Sequence, residues 1–257
     1  MNGAEPSGDP IRGEGASRRT ALAIVFALDI EADAFAASVD QPRRIGTGAG
    51  LTILTGNLAG RAIAWAIAGV GMDRARRAAA LLVAGHRPEA LVSAGFAGGL
   101  EPRVPRGALL AVDRALRAGS PSIDLERAVA GPLPCETIVT VDAPVVLPTA
   151  KRALAATCGA ALVDMETYAV AAVAASAGIR CLGLRVVSDA VEDPLPAEIV
   201  PVLRPQSGWR RFGAVVGAVG RRPGVSLELW RLWERAVADG RRLATGLRAL
   251  SASDGRR

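Results

Sequence analysis

Short runs of consecutive apolar residues alternate along the chain with stretches that have the spacing of amphipathic helices. Residues 21–28 form the first run, which is long enough for a strand buried on both faces. Further strands are predicted at 51–56, 61–70, 90–94, 107–112, 137–141, 161–163 and 180–187, and helices at 72–84, 151–157 and 166–177. Strands that alternate with helices in this way predict an α/β fold with helices on both faces of a central sheet.

The two ends of the chain differ from this central part. Residues 1–19 are rich in Gly, Pro and charge, without the apolar segment of a secretory signal, and are predicted to be a disordered leader. Residues 20–190 form the predicted α/β domain, and 191–250 a C-terminal helical extension on the same domain, with helices at 207–220 and 226–250. Residues 251–257 are predicted to be a disordered tail.

The second of these C-terminal helices has an apolar stripe and many arginines outside it. Such a helix packs on the sheet edge or on a second subunit, and a homo-oligomer is expected. The alternative is a basic amphipathic helix that contacts a membrane surface. The apolar stretches of the whole chain are too short for a transmembrane helix, and a cytoplasmic location is expected.

Composition narrows the chemistry. The one histidine, His86, lies in a Gly-His-Arg-Pro segment that is typical of the turn after a helix, which argues strongly against a catalytic triad or a histidine-based metal site, so acid–base chemistry is expected to fall to carboxylates. The three cysteines lack metal-ligand spacing, and neither a metal nor an organic cofactor is expected. The net charge of +6 comes almost entirely from arginine, while aromatic residues make up only 4%, which argues against a nucleic-acid partner.

Four predicted strands end in carboxylates or glycines. These ends are Asp29 and Glu31, the glycine-rich loop 95–99, the segment Asp164-Met165-Glu166, and the pair Ser188-Asp189. Open α/β sheets bind ligands outside the carboxyl ends of their strands, so these groups are expected to converge on one crevice. Taken singly, each has a plain structural explanation, such as a helix N-terminus or a tight turn.

Two nucleotide-binding motifs are excluded. The segment 46–50 is rich in glycine, but Leu51 stands where a dinucleotide fingerprint needs its third glycine, and a strand follows instead of a helix. The chain also contains no P-loop sequence.

Three segments resemble the nucleoside phosphorylase/nucleosidase superfamily, which includes methylthioadenosine/S-adenosylhomocysteine nucleosidase. They are Gly-Phe-Ala-Gly-Gly-Leu at 95–100, Val-Asp-Met-Glu-Thr at 163–167 and Arg-Val-Val-Ser-Asp at 185–189. Their order and spacing match the family from residue 21 to about 189. The resemblance implies a three-layer α/β/α fold with a central mixed, partly barrel-like sheet, a purine nucleoside substrate and no cofactor.

The resemblance also implies a role for each matching residue. Asp189 donates a proton to the imidazole ring of the purine, and Glu31 positions or activates water. The other predicted contacts are Glu166 with the ribose hydroxyls, Met165 under the sugar, Ser188 as the orienter of Asp189, and Gly71, Gly95 and Phe96 as backbone near the ligand. Anionic Glu166 and Glu31 are expected to stabilise the positive charge that develops on the ribose.

Two departures from the family leave the reaction and the substrate open. Phe96 stands where relatives commonly carry a small hydroxyl residue, which favours hydrolysis over phosphorolysis, although Arg74 or Arg43 could contact an anion. The C-terminal extension is similar to the hopanoid-associated branch, which implies removal of adenine from adenosylhopane, a lipid-linked nucleoside. Methylthioadenosine or S-adenosylhomocysteine is the other expected substrate, and a phosphorylase or a non-catalytic nucleoside-binding module is the alternative function.

Overall fold

The computed structural model describes residues 19–46, 51–127, 133–194 and 223–254, the first eight residues of the last range as helical backbone only. Its strands are β1 (Leu22–Phe26), β2 (Asp40–Gly46), β3 (Thr52–Leu58), β4 (Arg61–Ile67), β5 (Ala90–Gly99), β6 (Leu109–Leu116), β7 (Ile123–Asp124), β8 (Cys135–Thr140), β9 (Leu162–Asp164) and β10 (Arg180–Asp189). Its helices are α1 (Asp29–Ala36), α2 (Met72–His86), α3 (Pro148–Cys158), α4 (Thr167–Ala177) and α5 (Pro223–Asp254).

Five strands close into a ring in the order β5, β10, β6, β8, β9 and back to β5. The sheet continues from β5 through β1, β4 and β3 to β2. Parallel and antiparallel pairings are mixed, since β1, β5 and β10 are parallel neighbours while β9 runs antiparallel to β5. The predicted three-layer α/β/α fold with a mixed, partly barrel-like sheet is thereby confirmed.

The side chains of β1 show how the layers form. Successive residues of a strand point to opposite faces. Leu22, Ile24 and Phe26 pack in an apolar cluster with residues of α1 and α5, whereas Ala23 and Val25 pack in a second cluster with residues of α2 and α4. The continuous apolar run at 21–28 is therefore a strand covered by helices on both faces.

The glycine-rich segment 95–99 is strand, not the loop that we predicted. It forms the second half of β5, where it pairs with β10 on one side and, at Gly98 and Gly99, with β9 on the other. Glycine allows the side chains of both neighbouring strands to approach β5 there: a Cβ on Gly98 would lie 3.1 Å from Val163 Cγ1 of β9 and 3.2 Å from Asp189 Oδ2 of β10.

Helix α5 contains the predicted helix 226–250 and extends to Asp254. Its second half packs on the domain through Leu243, Leu247 and Leu250, which are at most 1% exposed. This arrangement agrees with the packing interpretation for these residues, while Trp233, nearer the start of the helix, is 43% exposed. The other predicted C-terminal helix, 207–220, lies outside the described residues. Within the described part of the chain, no helix combines the length and the apolar character needed to cross a bilayer.

Candidate active site

Glu31 lies in the first turn of α1, just after β1, with 3% of its surface exposed. Its Oε2 accepts hydrogen bonds from the backbone N–H groups of Ala27 and Leu28, both at 2.9 Å, and its Oε1 accepts one from Phe96 at 2.8 Å. Gly95 permits this approach, because a Cβ there would lie 2.7 Å from Oε1. The carboxylate of Glu31 is thus hydrogen-bonded to the glycine-rich half of β5.

Asp189 is the last residue of β10 and lies opposite Gly98 of β5, after a break in register that follows Val187. Its Oδ1 is 2.6 Å from the Ser188 hydroxyl, which lies 3.3 Å from the Ala97 carbonyl oxygen as an alternative acceptor. Its Oδ2 would lie 3.2 Å from a Cβ on Gly98. The absence of a side chain at Gly98 therefore leaves this oxygen approachable from β5.

Glu166 stands at the N-terminal cap of α4 and reaches across to the start of α2. Its Oε1 accepts a hydrogen bond from the Gly71 N–H at 2.7 Å, and its Oε2 accepts one from Met165 at 3.2 Å. Gly71 has a φ of 107°, a backbone conformation that favours glycine. Met165 is buried, with 7% of its surface exposed.

The three carboxylates meet for a reason that differs in part from the prediction. Strands β1, β5 and β10 are parallel neighbours, so Glu31, the glycines of β5 and Asp189 lie at one edge of the sheet, as expected. Strand β9 runs antiparallel to β5, however, and its carboxyl end does not share that edge. Glu166 reaches the same region because β9 has only three residues and pairs with the last residues of β5.

Burial raises the pKa of two of these carboxyls. Burial, together with the neighbouring Asp164 carboxylate, raises the pKa of Glu166 to about 8, while the Gly71 N–H acts in the opposite direction. Burial likewise raises the pKa of Glu31, although the Phe96, Leu28 and Ala27 N–H groups act in the opposite direction. That Glu166 is anionic when it binds the ribose stays a prediction, since hydrogen bonds from the Gly71 and Met165 N–H groups favour its charge while burial disfavours it.

A buried ion pair between Arg185 and Asp164 stabilises the first turn of the helix that Glu166 caps. Nη2 of Arg185 lies 2.8 Å from Asp164 Oδ2, 2.7 Å from Thr167 Oγ1 and 2.7 Å from Ser93 Oγ. Asp164 Oδ2 also accepts the Thr167 N–H at 2.9 Å, which anchors the first turn of α4. This network holds the helix whose N-terminal cap is Glu166, a function that the family motifs did not predict for Arg185.

Lys151, on α3, is the functional candidate that sequence reasoning missed. Its side chain is fully buried and its Nζ donates to Asp189 Oδ2 at 2.5 Å. The same Nζ donates to the backbone carbonyls of Ala190 at 2.7 Å and Asp193 at 2.9 Å. One signal was present in the chain, because Lys151 is the only lysine among 31 basic residues.

The other predicted contacts differ in how they relate to the carboxylates. Phe96 lies in the site through its backbone, since its N–H group is bonded to Glu31. Arg74 lies beside Gly69, where a Cβ would be 2.5 Å from its Nη1, two residues before Gly71. Arg43 is exposed on β2, at the far end of the sheet from β5. In the part of the chain that the structure describes, no three His, Cys, Asp or Glu side chains are grouped so that they could hold a metal.

A mixed sheet that closes on itself, with helices on both faces, is the fold of nucleoside phosphorylases and nucleosidases. The family model described as the Phosphorylase superfamily matches residues 21–133 and 124–204, and the chain belongs to this family. The resemblance found in the three sequence motifs is thereby confirmed. A search of curated proteins found no significant match.

Solved structures with this fold include a 5'-methylthioadenosine/S-adenosylhomocysteine nucleosidase from Helicobacter pylori. It is 17% identical, with a TM-score of 0.70 over 92% of this chain and 99% of that one. An S-adenosylhomocysteine nucleosidase from Streptococcus pyogenes is 18% identical, with a TM-score of 0.70 over 93% and 99% of the two chains. A futalosine hydrolase from Helicobacter pylori is 17% identical, with a TM-score of 0.68 over 92% and 98%.

Proposed function

We propose that this chain is a purine nucleosidase, which cleaves the bond between adenine and ribose with water as the nucleophile. The observation that carries the proposal is that three carboxyls lie against glycines at one end of the sheet. Glu31 approaches Gly95, Asp189 approaches Gly98, and Glu166 accepts a hydrogen bond from the Gly71 N–H. Membership of the Phosphorylase superfamily and the nucleosidase names of its structural neighbours support it.

Each of the three carboxyls has a proposed part in the reaction. Cleavage places negative charge on the base and positive charge on the ribose. Asp189 donates a proton to the departing base, a kind of help that is typically worth about 10²–10⁴ in rate. Glu166 accepts hydrogen bonds from the ribose hydroxyls, and Glu31 takes a proton from the attacking water, for which a raised pKa suits it.

The choice of water over phosphate rests on the bond between Glu31 and Phe96. A phosphate bound at this part of β5 would need N–H donors, yet the Phe96 N–H already donates to a carboxylate. The Phe96 side chain has no polar group to replace it. A buried carboxylate at this place would also repel an anion, whereas it can accept a proton from water.

Base release is therefore expected to proceed at the same rate with and without phosphate, and to fall about 100-fold in Glu31→Gln, since an amide cannot take the proton of water. The measurement is adenine released from adenosine or 5'-methylthioadenosine in phosphate-free buffer and in phosphate. Asp33→Asn, an exposed carboxyl on the same helix, is the matched control and should retain full activity. A strict requirement for phosphate would show that the enzyme is a phosphorylase.

The substrate is proposed to carry, at the 5' position of its ribose, a group larger than the hydroxyl of adenosine. The named relatives act on 5'-methylthioadenosine, S-adenosylhomocysteine or futalosine. A lipid-linked adenosine such as adenosylhopane remains our prediction for the C-terminal extension, together with a homo-oligomeric, cytoplasmic enzyme. A panel from methylthioadenosine to lipid-linked adenosine, scored by adenine release, separates these substrates.

Affinity for the ribose is expected to depend on pH because Glu166 must be ionised to accept two hydroxyl hydrogens. With a pKa of about 8 in the free protein, Glu166 holds a proton below pH 8, so affinity should rise with pH and level off above about pH 8. Well below that pKa, the change approaches tenfold per pH unit. Calorimetry with formycin A, whose carbon-linked base is not hydrolysed, measures this dependence between pH 6 and 9.

Two controls isolate the role of Glu166. Adenine has no ribose, so its affinity should not follow the same curve, and Glu166→Gln should bind formycin A weakly at every pH. An unchanged slope in Glu166→Gln would assign the titration to another group and contradict the ribose-binding role.

A further inference from the structure

The surroundings of Asp189 pose a problem for its role as an acid. Lys151 Nζ donates to its Oδ2, and the Ser188 hydroxyl is within hydrogen-bond distance of its Oδ1. A carboxylate that accepts hydrogen bonds from an ammonium and a hydroxyl has no proton of its own to give. The proton for the base must therefore come from a group next to Asp189.

Lys151 is the group that the fold places there. Its side chain is wholly buried, while that of Asp189 is 10% exposed, so Lys151 reaches a substrate only through Asp189. Its three ammonium hydrogens match three oxygen acceptors: Asp189 Oδ2, the Ala190 carbonyl and the Asp193 carbonyl. Burying a lysine is costly unless its charge is paired, and the charged partner of Lys151 is Asp189.

We propose that Lys151 is the positioning partner of Asp189 and holds the proton that Asp189 passes to the departing base. This inference rests on the proposed nucleosidase function and assigns to it a residue outside the family motifs. Lys151 fixes Oδ2 over Gly98, and the two backbone bonds hold the turn that follows β10, so the carboxyl keeps its place while its protonation changes.

The proton transfer balances without a further reagent. One N–H bond of the ammonium breaks as an O–H bond forms on Asp189 Oδ2, and this O–H bond breaks as the proton moves to a ring nitrogen of the base. The electron pair of the glycosidic bond leaves with the base. Lys151 becomes a neutral amine whose two remaining N–H groups stay on the Ala190 and Asp193 carbonyls. After the products leave, Glu31 releases to solvent the proton that it took from the attacking water, and Lys151 regains one proton from solvent through Asp189, so the cycle closes.

The test compares two leaving groups. Adenine needs a proton to depart, whereas the p-nitrophenolate of p-nitrophenyl β-D-ribofuranoside departs as an anion. We expect Lys151→Met to lower kcat for adenosine about 100-fold, with little change in KM, and to leave p-nitrophenyl riboside cleavage close to the wild-type rate. Lys151→Gln, which keeps two N–H donors but no transferable proton, should behave in the same way if Met at this buried position impairs folding.

Arg152→Met is the matched control, since Arg152 is the next residue on α3 and pairs with Glu192 at the surface. It should cleave both substrates as wild type does. An equal loss on both substrates in the Lys151 variants would overturn the proposal, because a structural defect does not distinguish leaving groups, and so would unchanged cleavage of adenosine. A wild-type protein that releases no base from any purine nucleoside would refute the proposed function itself, and the inference with it.

Discussion

Replacing Asp189 by Asn is expected to slow the release of adenine about 10²–10⁴-fold, because an amide cannot deliver a proton to the departing base. Binding of the nucleoside should be largely kept, since the amide oxygen can still accept the hydrogen bond from Lys151. Single-turnover assays with adenosine separate this loss from an effect on affinity. Full activity in Asp189→Asn would contradict the proposed mechanism.

The same substitution should also destabilise the protein. It leaves the buried Lys151 ammonium without a counter-charge, and breaking a buried ion pair in this way typically costs about 3–5 kcal/mol. The double variant Lys151→Met/Asp189→Asn removes both charges and should recover much of the free energy of unfolding, but no activity. Urea unfolding and base release, measured on the wild type, the two single variants and the double variant, therefore separate the effect of this ion pair on stability from its effect on catalysis.

Replacing Arg185 by Met is expected to lower the free energy of unfolding by about 3–5 kcal/mol. The side chains of Arg185 and Asp164 are 2% and 1% exposed, so the variant leaves Asp164 as a buried anion with no positive partner. Urea unfolding measures the loss. The Arg185 charge also favours ionised Glu31 and Glu166, so the pH at which ribose affinity levels off should move upward.

The matched variant for this prediction is Arg185→Met/Asp164→Asn, in which no buried charge remains unpaired. It should be more stable than Arg185→Met alone. If both variants were equally unstable, the lost packing of the arginine side chain, and not the unpaired carboxylate, would be the cause.

The hydrophobic pattern predicted the central strands because they are buried on both faces, as in β1 and the first half of β10. Strand β2 was missed for the opposite reason, since all seven of its residues are exposed and present no apolar pattern. The closure of the ring depends on pairs that are distant in sequence, such as Gly98 with Val163. No local signal marks such a pair, so β5 was divided into a strand and a loop.

The sequence predicted those residues of the candidate site that belong to the family motifs or follow the first strand. Glu31, Glu166 and Asp189 all lie in the region where strand ends were expected to meet. The part of Lys151 was not predicted, because a single lysine in a helix has no characteristic spacing. Its identity nevertheless fits its surroundings: the compact ammonium donates to three oxygens that lie around one point, an arrangement that the planar guanidinium of arginine does not match.

The position of α5 has a consequence for the order in which the contacts around Glu31 can form. Gly240 lies against the Ile30 carbonyl, where a Cβ would be 2.6 Å from the oxygen, so the last helix presses on the turn of α1 that carries Glu31. Asp239, next to it, is bonded to Arg106 at the start of the segment leading into β6. Because α5 follows the α/β domain in the chain, the contact between Gly240 and Ile30 can form only after the whole of that domain has been synthesised. Until then, the turn of α1 that holds Glu31 lacks its contact with α5.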